Sequence, residues 1–268
     1  MKHILLLTFA AFFSANLFAQ VETDTTRFKI GNLEFIVIGS DTLQVDDEDN
    51  GKESKKASHG DLTYWSGFEV GINYPVNGNF NNDFQSEHLN LDPAQSFVYN
   101  INFAEQRIPI IKEYFGLVTG LGITNSRYGL SNSKAEYFAN GDTTLAIIDT
   151  NMTSGFTKNQ LRMTTLRVPL MFQINTSKND SKNFHIAFGA IGGVRLGSNV
   201  KYKYDTPDGM FKTKIKGRYN LNAFELMGTV RVGYNDFGLF ANYNLLSLYE
   251  EEKSEVAYPL SFGVSFHF

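Results

Sequence analysis

The chain has 268 residues, a formal net charge of −4 and no cysteine, and 14% of its residues are aromatic beside 23 glycines and 6 prolines. A hydrophobic share of 42% with 19% charged residues excludes a disordered chain, because there is enough apolar surface to bury. The acidic balance argues against a nucleic-acid partner, and the lack of cysteine excludes disulfides, zinc–thiolate sites and thiol catalysis. Beyond the first twenty residues, no stretch approaches the roughly 18 consecutive apolar residues of a membrane-spanning helix.

The amino terminus has the layout of a secretory signal peptide. Lys2 precedes an apolar run over residues 4–13, and the small residue Ala19 stands before Gln20. A basic start, an apolar middle and a small residue at the cleavage site characterise export signals. A buried helix or a membrane anchor is the alternative, but polar residues interrupt the run. We therefore predict that residues 1–19 are a signal peptide.

Residues 20–64 are polar and acidic, and we predict a periplasmic leader ahead of a domain over residues 65–268. Part of this leader resembles a calcium loop, with oxygen ligands at Asp46, Glu48 and Asn50 before Gly51. The closing acidic position holds Ala57, which favours a solvated linker. Apolar residues on both sides of residues 31–32 indicate a small hairpin.

From Trp65 onward, eight segments alternate between apolar and polar residues with a period of two, which is typical of β-strands. One parity is almost entirely apolar and carries no charge. It comprises alternate residues in 68–74, 97–103, 115–123, 166–174, 184–196, 224–234, 237–245 and 258–268. The other parity is rich in glycine, asparagine, serine and threonine.

The polar parity indicates which face is enclosed. A soluble barrel would bury the large apolar face and expose lysine and glutamate. Here the polar parity is poor in lysine, and its charged residues have both signs. Small polar residues suit a narrow lumen, and lipid tolerates an outer face of Phe, Leu and Val. We therefore predict an all-β fold, an eight-stranded antiparallel up-and-down transmembrane β-barrel in the outer membrane of a Gram-negative bacterium.

The predicted connections support this topology, because outer loops of such barrels are longer than periplasmic turns. Long connections alternate with short ones up to the sixth. The connections are 75–96, 107–113, 129–160, 176–183, 205–217, 235–236 and 250–257. An even strand number returns the chain to the periplasm, where the terminal Phe268 serves as an assembly signal.

Aromatic residues are predicted to form girdles at the two ends of the strands. The periplasmic girdle comprises Phe103, Phe115, Phe172, Phe184, Tyr234, Phe237, Phe266 and Phe268. The outer girdle comprises Tyr74, Phe97, Tyr128, Tyr202, Tyr204, Tyr249 and Tyr258. Pro169 lies inside the fourth strand, and because proline lacks an N–H we predict a β-bulge there.

Three stretches resemble the Bacteroidetes outer-membrane β-barrel proteins, a PorT-like or "porin family" group. They are residues 114–122 (YFGLVTGLG), 166–170 (LRVPL) and 184–189 (FHIAFG). The resemblance covers about residues 60–268. It implies an integral outer-membrane barrel, with some relatives assisting secretion to the cell surface, and it supplies no catalytic or binding residues.

Eight strands enclose a lumen just wide enough for side chains, so a diffusion pore is disfavoured. The inward charged residues are predicted to form a buried ion-pair network, in which the two signs neutralise one another. They are Glu69, Arg167, Arg195, Glu225 and Arg231. A gated proton or solute path is the alternative, and a stretch of the leader could share the lumen.

Enzyme motifs are incomplete, and we predict no catalytic residue, no metal site and no cofactor. Ser131 and Lys134 match Ser-x-x-Lys, but the accompanying Lys-Thr-Gly is missing. Glycine-rich stretches do not complete a nucleotide-binding motif. A lipid hydrolase is the remaining alternative, with His88 or His185 as its base.

Function is expected in the outer loops 75–96, 129–160 and 205–217, because loops on a rigid scaffold carry most binding sites. Loop 129–160 offers Tyr137, Phe138, Ile147 and Ile148 to a partner. Loop 205–217 carries Lys212, Lys214 and Lys216, which could meet lipid phosphates. Loop 250–257 is acidic, with Glu250, Glu251, Glu252 and Glu255, and suits a solvated tip better than a cation site.

The expected partners are outer-membrane lipid and lipopolysaccharide, the barrel-assembly machinery and a secretion complex. We expect a monomer.

Overall fold

The computed structural model describes residues 24–30, 33–39, 62–150, 154–179, 182–206 and 209–268. The predicted signal peptide and the stretch resembling a calcium loop lie outside these residues. The chain divides into two units, Met1–Lys56 and Ala57–Phe268. In the first unit, β1 (Asp24–Ile30) pairs antiparallel with β2 (Leu33–Gly39), which confirms the predicted hairpin.

The second unit consists almost entirely of antiparallel strands. In chain order they are β3 (Gly67–Val76), β4 (Phe97–Ile111), β5 (Phe115–Gly129), β6 (Ala135–Ala139), β7 (Thr144–Ile148), β8 (Lys158–Asn175), β9 (Phe184–Thr206), β10 (Gly209–Lys216), β11 (Phe224–Tyr234), β12 (Phe237–Asn244) and β13 (Tyr258–His267). Two short 3-10 helices, Glu87–Leu89 and Pro93–Gln95, lie between β3 and β4. In the described parts of the chain, no helix is long and apolar enough to cross a bilayer.

Eight of these strands pair in a ring. Each of β3, β4, β5, β8, β9, β11, β12 and β13 pairs antiparallel with the next in this order, and β13 pairs back onto β3. The connections 112–114, 176–183 and 235–236 and the carboxyl terminus share one end of the ring, here called the turn end. The longer connections share the opposite end, here called the loop end.

The two faces of the strands follow the predicted parity. The apolar face points outward with large side chains exposed, such as Phe68, Leu170, Val230 and Phe262. The polar face points inward, and Asn100, Asn102, Thr165 and Asn242 are buried there. An apolar exterior around a polar interior is the arrangement of a barrel surrounded by lipid.

Three register shifts change this parity within a strand, one of them between Pro109 and Ile111 near the end of β4. The β4–β5 register shifts between Phe103 and Gln106, and the β8–β9 register shifts where Leu196 is left unpaired. Each extra residue exchanges the inward and outward positions that follow it. Beyond the first bulge β4 continues to Ile111, with Arg107 buried inside. The predicted connection 107–113 was therefore too long.

The predicted bulge at Pro169 was wrong. Pairing of β5 with β8 skips the residues opposite Gly120 and Leu121, and the register is the same on both sides of the gap. The Pro169 carbonyl accepts a hydrogen bond from the Thr119 hydroxyl at 2.9 Å. The missing N–H is thus accommodated by an interrupted ladder, without an inserted residue.

Two predicted loops contain further strands. The connection over residues 129–160 contains the β6–β7 hairpin, which forms a separate two-stranded sheet. The connection over residues 205–217 contains β10, which pairs with the loop end of β9 and extends the main sheet.

Candidate functional site

The centre of the lumen is organised around the Glu69 carboxylate, which projects inward from β3. Arg231 forms an ion pair with Oε1, and the Arg167 guanidinium lies 3.8 Å from Oε2. The Asn100 and Asn102 amides also donate to the carboxylate, at 2.6 and 2.7 Å. These five side chains are buried. A buried carboxylate needs such a set of charged and neutral donors, since desolvation would otherwise disfavour its ionised form.

The two other predicted network residues form no ion pair with this cluster, although Glu225 and Arg167 line the same small cavity. Glu225 accepts a hydrogen bond from the Thr165 hydroxyl at 3.0 Å. Neither Glu225 nor Arg195 takes part in an ion pair within 4.0 Å in the described parts of the chain. The structure thus joins Glu69, Arg167 and Arg231 directly, and a network of all five residues stays a prediction.

Trp65 fills the lumen beneath the carboxylate cluster and is fully buried. Its indole N–H donates to the Leu121 carbonyl at 2.9 Å, in the stretch where β5 skips its pairing with β8. The Arg231 guanidinium lies 4.9 Å from the ring centroid, within cation–π range. Gly120 provides the space, because a Cβ there would lie 2.6 Å from Trp65 Cδ1. Trp65 packs in one apolar layer with Val118, Met171, Ile191 and Met227.

The residues just before β3 occupy the turn end of the lumen. Gln173 and Asn175 donate to the Leu62 carbonyl at 2.7 and 3.1 Å. The Tyr64 ring stacks on His185 with ring centroids 3.6 Å apart, and Asn183 donates to its hydroxyl. Residues 62–66, here called the entry segment, therefore close this end from inside.

The bulge in β4 anchors the entry segment to the barrel wall. The Glu105 carboxylate lies at the register shift and accepts hydrogen bonds from the backbone N–H groups of Trp65 and Ser66, at 2.9 and 2.7 Å. Sequence reasoning missed Glu105 because the parity of β4 changes there. It also missed Trp65 and Tyr64, which precede the first strand and belong to no alternating pattern.

The loop end of the lumen is covered by an apolar cluster, here called the outer cap. Its buried residues come from strand ends and connections: Leu89, Tyr128, Leu130, Ala135, Tyr137, Phe156, Leu161, Met163, Val200, Tyr202, Leu221, Leu248, Tyr249 and Ala257. The Tyr137 backbone N–H donates to the Tyr202 hydroxyl at 2.8 Å. Burial raises the pKa of the Tyr249 phenol, so that ring stays neutral.

A cavity of about 20 Å³ lies below the outer cap, with Arg167, Glu225 and Tyr128 among the residues that line it. Such a volume holds about one water molecule. This cavity therefore leaves no room for more than a small solute between the carboxylate cluster and the outer cap.

Comparison with protein families gives a match over residues 53–250 to the outer membrane protein beta-barrel domain. The chain belongs to this family. It is thus an outer-membrane protein of a Gram-negative bacterium.

Other comparisons are more distant. The comparison with curated proteins gives no match. Among solved structures, the barrel is similar to Ail, the attachment invasion locus protein of Yersinia pestis, with a TM-score of 0.32 and 12% identity. That match covers 76% of this chain and 99% of that chain.

The outer aromatic girdle of this outer-membrane barrel was predicted incorrectly at four positions, of which Tyr204 is partly buried against the outer cap. Tyr128, Tyr202 and Tyr249 are buried in the outer cap. Tyr128 has inward parity on β5, and the bulge at Leu196 turns Tyr202 inward. On the outside, Tyr243 and Tyr258 lie with ring centroids 6.0 Å apart near the loop end.

At the turn end, most of the predicted girdle residues lie on adjacent strands with exposed rings. Phe115 stacks with Phe172 at 5.6 Å, and Phe237 meets Phe266 edge-to-face at 5.4 Å. Phe184 pairs with Tyr234 across β9 and β11, and Phe268 is 86% exposed. Phe103 differs, since it pairs with Leu121 in the body of the ladder and β4 continues past it.

Two histidines of the barrel lie beside serines. His88 Nε2 is 2.7 Å from Ser254 Oγ at the loop end, and His267 Nε2 is 3.0 Å from Ser265 Oγ at the turn end. In a catalytic triad, the second ring nitrogen donates to a carboxylate that orients the imidazole. In the described residues, Nδ1 of both histidines has no hydrogen-bond partner. Burial lowers the pKa of His88 to about 4, which makes it a weak base.

The two other candidate catalytic residues, His185 and Ser131, make only packing and backbone contacts among the residues that the structure describes. His185 stacks on Tyr64, and Ser131 donates its backbone N–H to the Asn90 carbonyl. The described residues contain no group of three or more His, Cys, Asp or Glu side chains that could hold a metal ion.

Of the apolar residues expected in the third connection, three are exposed. Phe138, Ile147 and Ile148 lie on the β6–β7 hairpin with 42–50% of their surface exposed, whereas Tyr137 is buried in the outer cap. The acidic connection 250–257 contributes Glu255, which accepts hydrogen bonds from the backbone N–H groups of Gln85 and Ser86. The outer loops thus hold one another in place.

Proposed function

We propose that this outer-membrane protein is a barrel with a filled lumen that acts structurally or by binding through its outer loops, and that it does not conduct solutes. The observation that carries this proposal is the fully buried Trp65 below the Glu69 cluster. A solute path would need continuous space along the lumen, and side chains occupy that space. The turn end would face the periplasm, in keeping with the short periplasmic turns of such barrels.

Planar-bilayer recordings test the closed lumen. The full chain should give no steady conductance, and Trp65→Ala should give at most brief openings because the entry segment is also held through Glu105 and Tyr64. Steady nanosiemens-scale steps from the unmodified protein would contradict the proposal and favour the small-solute channel.

The outer loops 75–96, 129–160 and 205–217 are proposed to carry the binding role. Support comes from the exposed apolar face of the β6–β7 hairpin and from the cations of β10. The proposed partners are outer-membrane lipid and lipopolysaccharide, with the barrel-assembly machinery acting during insertion. A photoreactive group placed at position 138 and activated in native membranes tests for a protein partner by crosslinking.

Several finer features belong to the same proposal. Residues 1–19 are proposed to be a signal peptide and residues 20–64 a periplasmic leader, on the strength of their composition.

The specific kinship with Bacteroidetes PorT-like proteins, and with it a role as a secretion accessory, rests on the stretches 114–122, 166–170 and 184–189. A pull-down from native membranes that recovers secretion machinery would favour that role. We propose a monomer, which analytical ultracentrifugation in detergent tests.

We also propose that the protein is not an enzyme. The support comes from the two Ser–His pairs, in which the imidazole Nδ1 has no hydrogen-bond partner among the residues that the structure describes. Lipid or ester turnover that disappears in His88→Ala would contradict this and favour the hydrolase.

A further inference from the structure

One side of the barrel changes from apolar to cationic along its outer surface. On β8 the residues of outward parity run from Leu166 through Thr164 to Arg162 and Lys158 toward the loop end. Gln160, between the two cations, has the same parity but is buried and donates to the Gln95 carbonyl. Thr164 donates to the Asn125 side chain of β5 at 3.1 Å, so a neutral polar level separates the apolar and cationic levels. This order of side chains matches the passage from hydrocarbon to headgroups and water.

The cations continue across four neighbouring strands in direct register. Arg127 pairs with Arg162, Lys158 pairs with Lys203, Lys203 pairs with Lys212, and Lys201 pairs with Lys214. These seven residues are here called the cationic stripe. Directly opposed side chains have Cβ atoms about 5 Å apart, and like charges at that distance destabilise a sheet.

In the described residues, none of the seven side chains takes part in an ion pair within 4.0 Å. The positive charge of Arg162 is the main cause that lowers the pKa of Lys201, with further contributions from Lys158 and Lys212. Arg127 is held in place by ring contacts, 4.6 Å from the centroid of Phe97 and 5.1 Å from that of Tyr99.

Two other cations at the loop end are paired within the chain. Arg218 lies 3.5 Å from Glu250, and Lys253 lies 3.8 Å from Asp142. The seven side chains of the stripe instead keep their charge available to an external anion.

We propose that the cationic stripe binds the phosphorylated headgroup of an outer-leaflet glycolipid. The four steps along the strand from Leu166 to Arg162 span about 13 Å, or about 10 Å of height at a tilt of roughly 40°. Arg127 and Arg162 thus lie at headgroup height, and the lysines lie above it, where the phosphorylated sugars of a glycolipid project. The proposal deepens the binding role proposed above, since it names the ligand class of one part of the outer surface.

The test uses the full chain in nonionic maltoside detergent, titrated with diphosphoryl lipid A and followed by native mass spectrometry. The triple variant Lys201→Gln, Lys203→Gln, Lys212→Gln should bind about tenfold to 100-fold more weakly, because three of the cations that attract the anionic lipid are lost. The charge-preserving triple Lys→Arg variant should retain binding. The matched control removes three lysines from the turn end, Lys112, Lys178 and Lys182, and should bind as the unmodified protein does.

Several outcomes would overturn the proposal. They are unchanged binding by the stripe variant, an equal loss in the turn-end control, or equal binding of lipid A that lacks its phosphates. Inorganic phosphate that competes as well as the lipid would show a free-phosphate site and overturn the lipid assignment. Conductance measured on the same protein reports on the closed lumen separately, so failure of the lipid site and failure of the proposed function are distinguishable.

Discussion

The two ends of the lumen are closed in different ways. At the turn end, the entry segment closes it through directional contacts to the strands themselves, such as Trp65 to Leu121 and Gln173 to Leu62. At the loop end, the outer cap closes it through apolar packing of the connections against one another and against the ends of β5, β8 and β9. Contacts made to the ladder are lost only when strands separate, whereas loops can open locally. The difference suggests that the turn-end closure is part of the barrel's folding unit and that the outer cap is separable from it.

The largest expected effect lies at the carboxylate cluster just above the turn-end closure. Glu69→Gln removes the negative charge between Arg167 and Arg231 and leaves two buried like charges. Loss of one partner from a buried ion pair costs about 3–5 kcal/mol. Urea unfolding in vesicles should show that decrease in the free energy of unfolding.

The matched control for this variant is Glu250→Gln. Its partner Arg218 is 81% exposed, and exposed pairs contribute about 0–1 kcal/mol. If Glu69→Gln and Glu250→Gln lowered the free energy of unfolding equally, the lumen cluster would be no more important for stability than the exposed pair at the loop end.

A smaller effect is expected where the wall makes room for the entry segment. In Gly120→Ala, the new Cβ would lie 2.6 Å from Trp65 Cδ1 and 2.8 Å from Nε1, so the indole must shift. Overpacking of this kind costs about 1–3 kcal/mol, again measured by urea unfolding. Gly228→Ala is the control, because its Cβ meets no atom within 4 Å. An unaffected Gly120→Ala would mean that Trp65 does not pack against β5.

The outer cap should respond locally. Tyr249→Ala removes a fully buried ring from the cap, and we expect faster proteolysis of the outer loops with less than about 1 kcal/mol lost from barrel unfolding. Limited proteolysis and urea unfolding on the same sample separate the two effects. A loss as large as that of Glu69→Gln would show that cap and ladder unfold together.

The smallest effect is a pH dependence confined to the outer cap. Burial lowers the pKa of His88 to about 4, against 6.5 for an ordinary histidine, while the charge of Glu255 acts in the opposite direction. Between these values the opened cap binds a proton that the closed cap does not. The cap therefore keeps its full stability above about pH 6.5 and loses it progressively as the pH falls to about 4.

Hydrogen exchange of the Leu89 and Tyr249 amides should report that loosening, and His88→Gln should reduce it. His88 packs edge-to-face against Tyr249 and lies beside Ser254, so both elements should respond together. Hydrogen exchange of these amides that does not depend on pH in the unmodified protein would contradict the role of His88 in the outer cap.

Sequence parity predicted the barrel wall because alternation of side chains is a local property of each strand. It identified the inward positions of Glu69, Arg167 and Arg231, which the structure brings together. It failed past the bulge at Leu196, where one unpaired residue turned Tyr202 inward. No residue type in that glycine-rich stretch signals the extra residue.

The closures of the lumen escaped prediction for a different reason. Trp65 and Tyr64 are placed by contacts with residues that lie 40 or more positions away in sequence. A period-two pattern says nothing about a segment that has no partner strand. The single tryptophan directly before the first strand was the one available signal, since a large ring there needs an enclosed place.

Fluorescence quenching of Trp65 tests the filled lumen most directly, because it is the only tryptophan in the chain. In vesicles of the full protein, its emission should resist acrylamide from the aqueous phase and brominated acyl chains from the lipid phase alike. Resistance of the Trp65 emission to both quenchers is expected for a ring inside the barrel. Strong quenching by acrylamide would place Trp65 in water, strong quenching by brominated lipid would place it on the outer face, and either would contradict the filled lumen.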